Sequence, residues 1–188
     1  MTKKDNINRN IIIVLMIVVA AIFRLLAFKY KELSNFNPVG AIALFGGAYF
    51  TDKWKGYLTV FVTLFATDLV LNALYHIGFD GLIGVYLAYA VIVFFGTILK
   101  RVSALNVLLA SAGAVLVHWL LTDLPWLYFT FNLYPHTLAG YETALIAAIP
   151  FEYNMVYGTL VFSAIMFGGF ELAKSKYAFL QTKKQLAL

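Results

Sequence analysis

Apolar residues along the chain fall into continuous runs rather than alternating stripes. Five runs are long enough, or nearly so, to cross a bilayer as helices: Ile11–Phe28, Tyr57–Tyr75, Leu82–Leu99, Leu105–Leu121 and Pro150–Leu172. A helical span needs about 20 such residues. A sixth run, Pro38–Phe50, is equally apolar but short. Transmembrane strands would show alternating polarity in segments of about ten residues, and these runs do not. The pattern predicts an all-α integral membrane protein with six transmembrane helices in one domain spanning residues 1–188. Ala173–Leu188 is polar enough to form a helical extension or a frayed end.

Composition agrees with that class. The chain is 62% hydrophobic and 12% charged, against roughly a quarter charged in soluble domains, and its mean hydropathy is +0.83. A water-soluble core of this size could not hide so much apolar side chain. The absence of cysteine excludes disulfides, thiol nucleophiles and cysteine-ligated metals. Lys3, Lys4 and Arg9 before the first run resemble a signal peptide, yet five further runs follow, so the protein is read as polytopic.

Charge sets the expected orientation. Threading six spans from a cytoplasmic N-terminus places Lys3, Lys4, Arg9, Lys53, Lys55, Lys100, Arg101, Lys174, Lys176, Lys183 and Lys184 inside. Lys29 and Lys31 fall outside, with Arg24 within the first span. That asymmetry obeys the positive-inside rule, with both termini cytoplasmic; five spans would blur it. The pI of 9.3 then reflects topology and anionic lipid, not a nucleic-acid partner.

The opposite side concentrates aromatics, amides, carboxylates and all three histidines, which predicts an outward-facing polar cavity. Asp68, Asn72 and His76 are spaced i, i+4, i+8 and form one stripe on a helix face. A carboxylate as deep as Asp68 is either a buried ion pair, with Arg24 or a backbone group as partner, or part of a wet or ligand-filled site. Arg24 near its helix end is expected to snorkel to the headgroups. His118 and Asp123 close the fifth span and add to a polar rim. Glu152, read as lying in the first turn of the last span after Pro150, favours the helix macrodipole there or contacts a ligand.

Two connections are more than passive. Thr122–Ile149 is free of lysine and arginine and dense in Trp126, Tyr128, Phe129, Phe131, Tyr134 and Tyr141. Its length and composition predict a lid sunk partly into the membrane, or an aromatic belt at headgroup level. Asn37-Pro38 opens the short run, so the preceding loop around Ser34–Asn37 would dip below the surface. The helix's positive end would then point into the same cavity. Ala43 and Gly47 give that helix a small-residue face for close contact.

Catalytic motifs are absent. Ser111 and His118 share a helix face but stand about 10 Å apart at helical rise. There is no G-x-S-x-G, H-E-x-x-H or P-loop. His76, His118, His136 and Asp123 lack ligand-like local spacing for a metal. No enzyme activity and no cofactor are expected.

Several blocks carry a family resemblance. N-F-N-P-V-G-A-I-A-L-F-G-G-A-Y-F (Asn35–Phe50), Asp68, T-D-L-P-W (Thr122–Trp126), Y-P-H-T-L-A-G (Tyr134–Gly140) and A-I-P-F-E-Y-N (Ala148–Asn154) occur in that order. They resemble the signature blocks of an uncharacterised bacterial family of small multi-pass membrane proteins. That family in turn resembles the substrate-binding S components of energy-coupling factor (ECF) transporters. The resemblance implies residence in the bacterial cytoplasmic (inner) membrane, capture of a vitamin-like solute from outside, and docking on an ECF-type ATPase and transmembrane module. The first span departs from the S-component A-x-x-x-A docking pattern: Ala20 and Ala21 are followed four residues on by Arg24 and Leu25. The nearest small-residue faces are Ala43–Gly47 and Ala110–Ala114, and a solitary uptake protein stays open.

The expected substrate-binding set is Asp68, Asn72, His118, Asp123, Trp126, Tyr134, His136, Glu152 and Asn154. Aromatics would stack on a flat solute while carboxylates and amides orient it. Four acids against one nearby arginine lean toward a neutral or cationic ligand. The alternative is a structural or assembly subunit of a membrane complex, with no small-molecule ligand.

Overall fold

The computed structural model describes residues 3–33, 35–76, 78–130 and 133–181. Among these, six α-helices account for nearly all regular structure and there are no strands: α1 (Lys3–Phe28), α2 (Val39–Tyr49), α3 (Lys53–Tyr75), α4 (Leu82–Ile98), α5 (Ala104–Thr122) and α6 (Leu138–Lys176). Short 3-10 turns occur at Lys31–Leu33, Pro125–Leu127 and Ala178–Leu180. Phe131, Ser34, Lys183 and Lys184, named above, lie outside the described residues.

Four helices, α1, α3, α5 and α6, are long and apolar enough to cross a membrane, whereas α2 and α4 are apolar but shorter. Their outward faces carry large apolar side chains such as Val19, Val62, Leu109 and Ile165, each more than half exposed. A surface of that kind marks a membrane-embedded protein rather than one bathed in water.

Local chemistry fixes the helix ends. Asn37 Oδ1 accepts from the Val39 amide at 3.0 Å, and Ser103 Oγ accepts from the Asn106 amide at 3.3 Å. Thr137 Oγ1 accepts from the Gly140 amide at 3.1 Å. Each satisfies an amide that has no partner within its own helix. The last cap corrects a boundary: α6 begins at Leu138, so Pro150 lies inside it and not at its start. Glu152 is therefore a mid-helix residue, and the macrodipole reading of its position falls.

The core is built around α2. Every residue of this helix except Ala48 is buried, and it touches all five other helices. Uniform apolarity leaves it no face suited to water. Its closest contact is with α4. A Cβ on Gly47 would stand 2.2 Å from the Val93 carbonyl oxygen, and one on Gly96 would stand 2.3 Å from that of Leu44. The small-residue face of Ala43 and Gly47 is thus spent inside the bundle.

At the end where α2 finishes, Phe45 packs on Tyr49, Phe167 and Phe170 with ring centroids 4.7, 5.5 and 5.5 Å away. The Tyr49 hydroxyl donates to Glu171, which also accepts from Lys174 Nζ at 2.9 Å. Arg9, only 2% exposed, donates from Nε to the Leu180 carbonyl at 2.9 Å and lies over the Phe170 ring. Arg9 therefore belongs to the interior of α1, not to a solvent-facing leader. It also holds the start of α1 beside residue 180, so both belong to one end of the bundle.

The glycine contact predicts a contrast. Gly96→Ala should destabilise the protein by about 1–3 kcal/mol or more, because backbone faces the added methyl. Gly168→Ala, with nothing within 4 Å of its Cβ, should be neutral or stabilising by up to about 1 kcal/mol through helix propensity. Thermal unfolding of the two variants in one detergent checks this.

Candidate functional site

A cavity of about 440 Å³ opens at the other end of the bundle, among the ends of α4 and α5, the α5–α6 connection and the first half of α6. His118 enters it from the last turn of α5 and Glu152 from α6, their side chains 10% and 9% exposed. His118 Nδ1 stands 3.3 Å from Glu152 Oε1 without the geometry of a hydrogen bond. Neither His118 Nδ1 nor Glu152 Oε2 has a hydrogen-bond partner among the described residues. Leaving buried polar atoms in that condition costs about 1–3 kcal/mol each. Tyr89, buried on α4, sets its ring edge-on to the imidazole at 5.8 Å and so fixes its plane.

Asp123 follows α5 directly and also lines the cavity. Burial first, and the neighbouring Glu152 carboxylate second, push its carboxyl up to about 6, against an opposing pull from His118. Tyr128 and Tyr134 line one flank with Leu133, and α6 supplies Phe151 and the small residues Ala144, Ala147 and Ala148. The Tyr128 ring is seated over Gly81, whose φ is +75° and where a Cβ would stand 2.5 Å from the ring. Its hydroxyl donates to the Thr122 carbonyl at 2.6 Å.

The connection that closes the cavity is pinned at several points. Asp80, between α3 and α4, accepts from the Phe129 and Thr130 amides at 2.9 and 3.0 Å. Tyr141 Oη donates to the Leu120 carbonyl at 2.7 Å, and Trp119 Nε1 donates to that of Leu145 at 3.0 Å. From Leu138 onward the expected lid is the start of α6, and Pro125–Leu127, earlier in that stretch, forms a 3-10 turn.

Of the nine expected binding residues, His118, Asp123, Tyr134 and Glu152 converge on the cavity. Asp68 does not: it pairs with Arg24 at 2.6 Å and accepts from Tyr86 Oη at 3.4 Å, while Arg24 also donates to Thr67. Of the two readings of Asp68, the structure shows the ion pair. Snorkelling of Arg24 is corrected accordingly, because a desolvated carboxylate outcompetes the headgroup region for its guanidinium. Asn72 accepts from the Gly78 amide at 2.9 Å and so serves the end of α3. His76 is exposed in the left-handed conformation at φ 52°.

Trp126 and His136 pack on each other at the exposed rim, with ring centroids 6.5 Å apart. Asn154 Nδ2 donates to the Glu32 carbonyl at 3.0 Å, tying α6 to the segment after α1. His76, His118, His136 and Asp123 form no metal-ligand group among the described residues. Ser111 Oγ pairs with Ser163 Oγ at 3.2 Å instead of any base. The loop before α2 reaches the cavity through Asn35, whereas the Asn37 backbone packs against Gly158.

Sequence reasoning left Tyr128, Phe151 and the alanine wall out of the binding set. The i, i+3, i+4 spacing of Ala144, Ala147 and Ala148 was the available signal for a helical wall.

Two outcomes follow. Asp68→Asn should destabilise the protein by up to about 3–5 kcal/mol by leaving the Arg24 charge uncompensated. Combining it with Arg24→Ala should recover part of that loss in a double-mutant cycle of thermal unfolding. Asp123 binds its proton more tightly folded than unfolded, so its contribution to stability declines as pH rises from the ordinary carboxylate range through about 6. Asp123→Asn should therefore flatten the stability profile over that window and leave the variant more stable than the parent at neutral pH.

No curated protein and no solved structure matches the chain. The sequence profile of a family of unknown function, DUF6580, matches residues 4–184. That match begins within α1 and runs through the other five helices, and the chain belongs to the family of unknown function DUF6580.

Proposed function

We propose that this protein is a solute-binding membrane protein that captures a small molecule from the outer side of the bacterial cytoplasmic membrane. The observation that carries the reading is the cavity into which His118 and Glu152 project buried polar atoms that no group among the described residues satisfies. Buried groups of that kind are met by a guest or by water in functional sites. A mostly apolar wall with a few convergent polar atoms, in a space of about 440 Å³, is the usual form of a small-molecule site.

Six spans with both termini inside is the topology we adopt. Clustering of Arg9, Lys174 and Leu180 at one end of the bundle and of the lysine-free connection at the other supports it. In this reading the short helix α2 is a central span shielded from lipid, and the cavity faces outward. The arrangement is S-component-like, with a vitamin-like solute as cargo and a shared ATPase module or solitary action as the two modes of uptake. Burial of Ala43 and Gly47 against α4 removes one docking face from consideration. The role is one of binding and passage without bond chemistry.

The test is native mass spectrometry of protein purified gently in detergent, paired with thermal shift. A retained small molecule in the wild type, lost in Glu152→Gln, is the expected outcome. An assembly subunit would show no retained or stabilising small molecule, and substitutions at Glu152 or Asp123 would instead disrupt co-purification with a partner chain.

A further inference from the structure

The charges around the cavity restrict what it can hold. Asp123 and Glu152 line it together with His118, and among the described residues no lysine or arginine does. The connection and helix start that cover it, residues 122–149, contain neither basic residue type. The nearby guanidinium of Arg24 is engaged by Asp68 at 2.6 Å. An anionic guest would add negative charge beside Glu152 in a poorly solvated space, and a neutral one would leave that carboxylate to the imidazole of His118 at 3.3 Å, which is charged only when protonated. An inorganic cation is a poor fit, because these groups do not assemble into a metal-ligand set among the described residues. Tyr128, Tyr134 and Phe151 offer ring faces instead, which suit both a flat apolar body and a cationic head.

Resting on the solute-site reading above, we propose that the cavity recognises an organic monocation, an ammonium group on a flat apolar body, with Glu152 and Asp123 as its counter-charges. The ammonium sits at the His118–Glu152 end, where Glu152 Oε2 supplies an acceptor that no donor among the described residues uses. The body extends along Ala144, Ala147 and Ala148, whose small side chains leave room for it. The titratable groups facing this position are Tyr89 from α4, His118 from α5, Asp123, Tyr128 and Tyr134 from the connection, and Glu152 from α6. Asp123 must be ionised to serve, so affinity declines as pH falls through about 6.

The experiment uses the full chain in detergent and three probes of one shape: phenethylammonium, 2-phenylethanol and 3-phenylpropionate. Thermal shift and equilibrium dialysis should show binding by the amine at millimolar concentration or below. The alcohol should bind about tenfold more weakly or worse, and the acid not at all, a tenfold step corresponding to about 1.4 kcal/mol. Amine affinity should drop on acidification through pH about 6 and fall about tenfold or more in Glu152→Gln, with Asp123→Asn as the second variant. The comparison of probes on the wild type stands even if a variant fails to fold. Equal or tighter binding of the alcohol or acid overturns the charge assignment while leaving a solute site in place. Silence of the amine also overturns it, and a retained solute in native mass spectra then decides whether the solute-site reading survives.

Discussion

The fold depends on one constraint: an eleven-residue helix, α2, that is buried almost throughout. At 1.5 Å per residue it is about 16 Å long, roughly half of a bilayer core of about 30 Å. A helix so short can be central only if other helices enclose it and the backbone at its ends finds partners inside the protein. Asn37 supplies one such partner at the start. Paired glycines at 47 and 96 let α4 approach until backbone meets backbone, replacing side-chain packing with dispersion between main chains. The cavity lies beyond the start of α2, lined by Asn35 ahead of it and by Asp123, Pro125, Tyr128, Leu133 and Tyr134 of the α5–α6 connection.

Burial also sorts the polar residues into two kinds. Arg24 with Asp68, and Tyr49 and Lys174 with Glu171, satisfy one another, so their charges are neutralised within the bundle. Among the described residues no lysine or arginine pairs with Asp123 or Glu152, and Glu152 stands beside the His118 imidazole, a cation only when protonated. Both groups look alike in composition, and only the pairing separates a cross-brace from the lining of a cavity.

That difference explains what the amino-acid sequence made legible. Continuous apolar runs located all six helices, because hydrophobic length is a property of each segment alone. The stripe Asp68, Asn72, His76 pointed to a common site, yet each residue answers to a different neighbour: Arg24, the Gly78 amide, and the end of α3. Partner choice depends on contacts between helices, which periodicity does not encode. The start of α6 was missed because Trp126 through Tyr141 reads as one aromatic loop, while the capping Thr137 and the alanines behind it already specify helix. Pro150 misled as well. It favours a first turn in water, but within a long apolar helix its missing amide is tolerated.

Pro150 has a mechanical consequence. It lacks the N–H that would bond back to the carbonyl of Ile146, and its ring crowds that carbonyl. The rod formed by α6 is thus softest between Ala148 and Glu152, alongside the cavity wall. Bending there would move Leu138–Ile149 only with loss of the Tyr141–Leu120 and Trp119–Leu145 hydrogen bonds, while the Glu171 cluster on the other half stays in place. The cavity wall and the foundation of the molecule share one helix, separated by a single imino acid.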